Sequence, residues 1–551
     1  MSAVSTAPLF PPEFARRYRA AGYWTDDHFA TFLATCAERF PQRTAATGRN
    51  QLGDWVSLTY AQLADSAARL ASRLHRGGVR PGDFVLVQLP NRIDYLQAIF
   101  AVFHLGARPI FTLPAHRDAE LRSFTELSDA TALITMGSYG GFDYRDLASR
   151  LQEEFPQLTV FVSAADPGPH QPLFDSEIAE PWQAVATDTE DIAFLQVSGG
   201  TTGTPKLIPR SHADYLYSVR RSVEICELSP ETVFLVVLPA SHNFTMSSPG
   251  ILGVLFAGGQ VVLSEDPSPS VAFDLIEKYR VSMTAVVPPL ALVWLELFPV
   301  LNRDASSLQV LQVGGAKFTP ESARRVEPEL GCRLQQVFGM AEGLVNYTLL
   351  NDPPELITTS QGHPMSPADE VLVLDPQGNP VAPGERGVLW TRGPYTIRGY
   401  VGGADASSFS EDGFYCTGDV VRQLPSGYLV VEGRDKDQIN RAGEKISPEE
   451  IEDHLVSHPA VRDAAVVGLP DDLLGERTCA YIVLCGEATA GDASEIRRFL
   501  HGRGLAAYKI PDHIEFAHEF PLTGVGKVSR KELRARLAEF LLTRKGPHAP
   551  H

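Results

Sequence analysis

The chain predicts an α/β fold, with a large N-terminal domain of helix-covered, largely parallel sheets plus a β-rich subdomain, followed by a small α+β C-terminal domain. Three observations lead there. At 551 residues the chain exceeds what one hydrophobic core serves. Short apolar runs alternate with helix-length segments through most of it. Near residue 433 a polar junction, GRDKDQINRAGEK, separates that pattern from a shorter one.

The elements follow in order. The opening segment lacks a charged start, an apolar core and a small-residue cleavage site, so a cytoplasmic protein is expected. Across residues 58–77, Thr59 is placed to cap, Leu63, Ala67, Leu70 and Leu74 recur at helical spacing, and Gly77 stops the helix. Residues 83–89 form a compact apolar strand, and similar runs stand at 192–197, 233–238, 260–263, 284–287, 308–313 and 334–338. Strands buried on both faces read this way in parallel sheets, whose ligands bind at loops beyond the carboxyl ends of the strands. Residues 283–301 approach a bilayer-spanning length, but Pro288, Pro289, Glu296 and Pro299 favour a buried strand followed by a core helix. Pro425-Ser426-Gly427 marks a hairpin turn. The domain boundary is placed at 433/434, giving domains 1–433 and 434–551. Ser447-Pro448-Glu449-Glu450 then reads as a capping box, with Ile446 and Ile451 as a hydrophobic staple. Strands at 464–468 and 478–484 and a helix at 494–500 complete the small domain.

Composition narrows the function. With 44% apolar and 21% charged residues the chain is an ordinary globular protein. A formal charge of -19 argues against general binding to nucleic acid or anionic membrane, so any anionic ligand is held by local geometry. The six cysteines show neither CxxC pairing nor metal-ligand spacing and read as reduced thiols.

Chemistry concentrates after the run 192–197, in Ser198, Gly199, Gly200, Thr201, Thr202, Gly203, Thr204, Pro205 and Lys206. Glycines admit close backbone approach, hydroxyls donate to phosphate oxygens and lysine adds positive charge, which together describe a phosphate cradle. It departs from the Walker loop, because Pro205 stands where that pattern has glycine. A flexible surface loop is the plainer alternative.

This loop, QVFGMAE at 336–342, YCTGD at 415–419, GRDKD at 433–437 and PLTGVGK at 521–527 together resemble the adenylate-forming ligase superfamily in order and spacing, from about residue 30 to residue 535. Through SHNFTMSSPG at 241–250, FGMAEGLVN at 338–346 and the opening PPEFARRYRAAGYW, the chain is most similar to the stand-alone 2,3-dihydroxybenzoate-AMP ligases of catechol siderophore pathways. The resemblance implies ATP and Mg2+ as cofactors, an aryl acid as substrate, a mobile C-terminal domain, and the phosphopantetheine thiol of an aryl carrier protein as acceptor.

It also implies roles. Lys527 bridges the acyl carboxylate and the α-phosphate, a task that chemistry supports because adenylation brings negative groups together. Glu342 helps hold Mg2+, for which a hard oxygen ligand is suitable, or instead caps a helix. Asp419 and Arg434 bind the ribose, or pair only with each other. Gly314, Gly315 and Ala316 leave room for the adenine base above Val337 and Phe338, with Gly339 adjacent, and Phe338 as simple core is the competing reading. Ala341 replaces the superfamily's usual threonine, as in the dihydroxybenzoate sub-family. In the acid pocket, residues 238–250 carry no acidic side chain, which disfavours an amino-acid substrate. Asn243 and Ser248 face ring hydroxyls, Phe244, Gly315 and Val345 wall the ring, and His242 orients the carboxylate or fills space. Lys436 matches the hinge, with an exposed linker as alternative. Arg530, Lys531, Arg534 and Arg536 offer a basic patch for an acidic carrier, or a solvated helix face. The rival functions are an aromatic-acid coenzyme A ligase, a salicylate-AMP ligase and, more remotely, a catalytically silent scaffold.

Overall fold

A computed structural model of the chain describes residues 9–175, 180–185, 187–198, 206–441, 444–471, 474–485, 493–503, 505 and 507–544. Two sheets form the bulk of the large body. The seven-stranded sheet runs Leu207–Ser211, Ile192–Val197, Arg108–Phe111, Phe84–Val87, Ala132–Met136, Thr159–Ser163 and Gln171–Pro172, and only its first ladder is antiparallel. The nine-stranded sheet is parallel from Arg333–Gly339 through Val310–Gly314, Met283–Val286, Val233–Val236 and Gln260–Leu263 to Thr44–Arg49, with antiparallel strands at both margins. Phe84–Val87, Ala132–Met136 and Val310–Gly314 are buried along their whole length, as strands covered on both faces must be.

The helix Tyr60–Arg76 starts at a capping box between Thr59 and Gln62 and buries Leu63, Ala67, Leu70 and Leu74. It ends at Gly77, where an added Cβ would come within 2.4 Å of the Phe161 ring, so close approach as well as helix termination calls for glycine. Residues 283–301 divide into the strand Met283–Val286 and the helix Pro288–Leu301. Among the described residues no helix is long and apolar enough to cross a membrane.

A four-stranded antiparallel sheet follows, Glu370–Leu374, Arg386–Arg392, Tyr415–Gln423 and Leu429–Arg434, with its own core of Leu344, Val373, Leu389, Val421, Leu429 and Val431. The small C-terminal body is built on five strands. In Val461–Asp471, Ala464 and Val466 enter one core while Ala465, Val467 and Leu469 enter another, the two-residue alternation of a sheet covered on both sides. The helices Pro448–Val456 and Ala493–Gly502 supply Ile451, Leu455, Ile496 and Leu500 to the first core, and Arg530–Arg544 supplies Leu533 and Leu537 to the second. Among the described residues no hydrophobic core has members on both sides of residues 432–438.

Two sequence readings change here. Ser447 sits at the N-cap of Pro448–Val456 but makes no capping bond. Its hydroxyl donates instead to the Glu432 carbonyl at 2.6 Å and so ties the new helix back to the preceding sheet. The basic run near the C-terminus is largely committed internally: Arg530 pairs with Glu449 at 2.8 Å and Glu452 at 3.0 Å, Arg534 with Asp437 at 2.8 Å, and Arg536 with Glu532 at 2.5 Å.

The two bodies also touch directly. Lys317 meets Asp453 at 2.7 Å and Arg462 meets Glu296 at 3.3 Å. Gly524 lies so near Ala115 that a Cβ there would stand 2.9 Å from the alanine methyl.

Candidate active site

Of the phosphate cradle, Gly199, Gly200, Thr201, Thr202, Gly203, Thr204 and Pro205 lie outside the described residues. Its base is an antiparallel pair. Ser198 N donates to the Lys206 carbonyl at 3.0 Å, and Lys206 N to Ser198 Oγ at 3.0 Å. The Lys206 ammonium pairs with Asp405, which lowers that carboxyl below its usual range, and stands 4.6 Å from the centre of the Tyr400 ring. Tyr400 donates to Glu342 Oε1 at 2.9 Å. One tyrosine therefore joins the lysine that ends the cradle to the glutamate of a distant motif.

Glu342 sits in a turn after the strand Arg333–Gly339, not at a helix start. That turn is pinned by Arg210, which is 1% exposed. Its guanidinium donates to the Ala341 carbonyl at 2.7 Å, to the Tyr395 carbonyl at 3.0 Å and to Asp214 Oδ1 at 3.0 Å.

Asp419 and Arg434 face each other in register on neighbouring strands, with Arg434 Nε donating to Asp419 Oδ1 at 3.0 Å. The mutual ion pair weighed from sequence is thus present. Burial raises the Asp419 carboxyl, against the pull of Arg434. Asp419 is 6% exposed while the Arg434 side chain is 62% exposed, which leaves a buried acceptor beside an accessible cation.

Lys527 reaches this centre from the small body. It closes a tight turn in which Thr523 N donates to the Lys527 carbonyl at 2.7 Å and Gly526 takes a φ of +80°, a left-handed conformation suited to glycine. Its side chain lies over Gly315: a Cβ there would be 3.0 Å from Lys527 Cε. Desolvation, helped by repulsion from Arg434, pushes the Lys527 ammonium down to about 8, while Asp419 and Glu342 oppose the shift. The charged form is the one that can neutralise phosphate. Activity of the free enzyme measured as kcat/KM for adenylation should therefore fall as pH rises through about 8, and a profile flat from pH 7 to 10 would separate Lys527 from that step.

Of the residues expected at the acid pocket, Gly315 lies against this lysine and His242 feels its charge. His242 caps the short helix Asn243–Ser247, its Nδ1 accepting from Phe244 N at 3.3 Å, and burial together with Lys527 pushes the imidazole down to about 3, so it is neutral. Asn243 Oδ1 accepts from the Tyr215 hydroxyl at 2.7 Å, and that hydroxyl accepts from Ser247 Oγ at 2.8 Å. Burial raises Tyr215 to about 12, which keeps its proton in place. Ser248 is buried, and nearby the Tyr347 hydroxyl meets Ser222 Oγ at 2.9 Å. The Phe244 ring abuts Gly314, where a Cβ would lie 3.0 Å from it and 2.6 Å from the Val337 carbonyl. Val345 lies opposite Gly339 on the paired strand. Val337 packs into the main core and Phe338 against the core of the four-stranded sheet, so the two point to opposite sides. Ala316 is exposed just beyond Gly315. Lys436 lies in the single helical turn Asp435–Asp437 between the two bodies; its side chain is outside the described residues.

Sequence reading did not single out Arg210, Tyr215, Tyr347 or Tyr400. Each acts through neighbours far away in the chain, and only the Ser211-x-x-Asp214 capping box beside Arg210 leaves a local trace.

A mixed α/β body and a small lobe that delivers one lysine to a glycine turn, a buried aspartate and a glutamate make the architecture of an adenylate-forming enzyme. The chain belongs to the AMP-binding enzyme family, whose model matches residues 33–401, and the AMP-binding enzyme C-terminal domain matches residues 450–527. It is 53% identical over 535 residues to a 2,3-dihydroxybenzoate-AMP ligase of Bacillus subtilis, covering 97% of this chain and 98% of that one. It is 44% identical over 534 residues to the salicyl-AMP ligase / salicyl-S-ArCP synthetase of Mycobacterium tuberculosis, covering 96% and 94% of the two chains. The solved structure of Mycobacterium smegmatis MbtA superposes with a TM-score of 0.73 at 42% identity, covering 96% of this chain and 98% of that one.

Proposed function

We propose that the chain activates an aryl acid, 2,3-dihydroxybenzoate first, and passes it to the phosphopantetheine thiol of an aryl carrier protein in siderophore biosynthesis. A carboxylate oxygen of the acid attacks the α-phosphorus of ATP, the bond from that phosphorus to the bridging oxygen breaks, and pyrophosphate leaves with the electron pair. The thiol then displaces AMP from the acyl carbon. The observation that carries this reading is the docked Lys527, held at Gly315 where the charges of Asp419 and Glu342 act on it, with a pocket segment that carries no carboxylates.

In this reading Lys527 neutralises the charge that gathers as carboxylate and α-phosphate meet. His242, neutral and anchored by its capping bond, presents its other nitrogen toward the acid. Asn243 and Ser248 take the ring hydroxyls, and Phe244, Gly315 and Val345 enclose the ring. Ser198 through Gly203 with Lys206 hold the phosphates, Gly314, Gly315, Ala316, Val337, Phe338 and Gly339 border the base, and Asp419 with Arg434 takes the ribose. Magnesium fits one protein carboxylate, Glu342, with phosphate oxygens and water as the remaining hard ligands. Among the described residues no cluster of three or more His, Cys, Asp or Glu competes for it. Bound there, the ion would offset charge on the leaving pyrophosphate. The domains divide at 433/434, and Lys436 is the hinge on which residues 434–551 turn between the two half-reactions.

A salicylate-AMP ligase is the second reading, supported by the 44% identical salicyl-AMP ligase. ATP–pyrophosphate exchange across benzoates differing by one hydroxyl separates the two. We expect 2,3-dihydroxybenzoate to exceed salicylate in kcat/KM by about ten- to a hundredfold, the effect of leaving one pocket hydroxyl unpaired. A preference for salicylate would establish the second reading, and exchange with none of the acids would refute both. Thioester assays with coenzyme A and with carrier protein identify the acceptor.

A further inference from the structure

Asn243 has a fixed polarity, and a tyrosine outside the expected pocket fixes it. A side-chain amide offers an acceptor at one end and two donors at the other, so its role depends on which end is already engaged. The Tyr215 hydroxyl lies 2.7 Å from Asn243 Oδ1 and 2.8 Å from Ser247 Oγ. Ser247 donates to the phenol oxygen. The one phenol proton is then directed at Asn243 Oδ1. Tyr215 has little freedom to do otherwise: it is 1% exposed, Phe194 meets it edge-on at 4.6 Å, and the Arg210 guanidinium lies 4.7 Å from its ring centre. Asn243 itself is only partly buried, and among the described residues its amide nitrogen has no hydrogen-bond partner. What the pocket meets is therefore an N–H donor.

We propose that Tyr215 is a specificity-determining positioning residue: by occupying Asn243 Oδ1 it makes the pocket donate beside the substrate carboxylate, and so selects acids whose ortho group offers a lone pair. This rests on the aryl-acid reading above. An ortho hydroxyl turns its own proton onto the neighbouring carboxylate and presents oxygen lone pairs outward. An ortho amino group has a second N–H to present, and its lone pair is delocalised into the ring, so donor faces donor. Ring size and net charge are nearly the same in the two acids, which isolates polarity as the discriminating property.

The test uses the full chain with benzoate, 2-hydroxybenzoate and 2-aminobenzoate in ATP–pyrophosphate exchange. The wild type is expected to favour 2-hydroxybenzoate over 2-aminobenzoate by about ten- to a hundredfold in kcat/KM. In Tyr215→Phe the amide oxygen is released and the amide is free to turn over. The ratio should then fall below about threefold, while unsubstituted benzoate, which has no ortho group to read, stays within about threefold of wild type. General damage to the enzyme would lower all three acids together and leave the ratio intact, and that outcome overturns the proposal. The wild type alone also decides if the variant is unstable, because equal use of the hydroxy and amino acids refutes it. Exchange with none of the three acids and none with 2,3-dihydroxybenzoate run beside them would refute the aryl-acid reading along with this inference, whereas equal exchange with all three refutes this inference alone.

Discussion

Lys527→Ala is expected to cut aryl-acid-dependent ATP–pyrophosphate exchange by at least about a hundredfold, the scale on which loss of one preorganised charge-stabilising group acts. Transfer of a supplied acyl adenylate to the thiol should stay within about threefold of wild type, because in the proposed cycle residues 434–551 have by then turned about Lys436 and carried Lys527 away from the adenylate. The reason is geometric as well as electrostatic. Lys527 reaches from the small body to Gly315, and Arg434, Asp419 and Glu342 all act on the charge of its ammonium. Assaying the two half-reactions separately is decisive: equal loss of both would mean that the lysine supports the fold and not the first step.

How much of this was legible in the sequence depends on the range of the interaction concerned. Local signals served well. Thr59 with Gln62, the apolar positions from Leu63 to Leu74 and the double proline at 288–289 each act within a few residues, and the helices and strands they imply are present. Ser447 shows the limit. Its capping pattern is local, but a carbonyl fifteen residues back competes for the hydroxyl and takes it. The site divides the same way. Glycine turns and motif carboxylates could be read from residue type and order, whereas Tyr400 between Lys206 and Glu342, and Tyr215 behind Asn243, become visible only when separate segments meet. The basic run at the C-terminus was ambiguous from composition because the acids that engage Arg530 and Arg534, Glu449, Glu452 and Asp437, lie far upstream.

Arg210→Met should produce the largest loss of stability, about 3–5 kcal/mol in denaturant unfolding, the usual result of removing one member of a buried ion pair. Arg210 and Asp214 are each 1% exposed. Without the guanidinium, Asp214 keeps its bonds from Ser211 but loses its countercharge, and burial already raises its carboxyl against the pull of Arg210. The carbonyls of Ala341 and Tyr395 lose their donor as well, so the turn bearing Glu342 should loosen. Arg210→Met combined with Asp214→Leu is expected to recover much of the stability, because no unpaired charge then remains, without restoring the anchor on Ala341. A single variant as stable as wild type would show that water reaches Asp214 after all.

The near-contact between Gly524 and Ala115 has a consequence for how this enzyme can vary. The clearance there is smaller than a methyl group, so it works as a gauge on the distance between the jaws. Any bulkier pair would prop the mouth ajar and leave the lysine tip short of its station, in a molecule whose separate cores were untouched. Substitution at this seam is thus a route by which descendants of the chain could keep their shape and lose their chemistry.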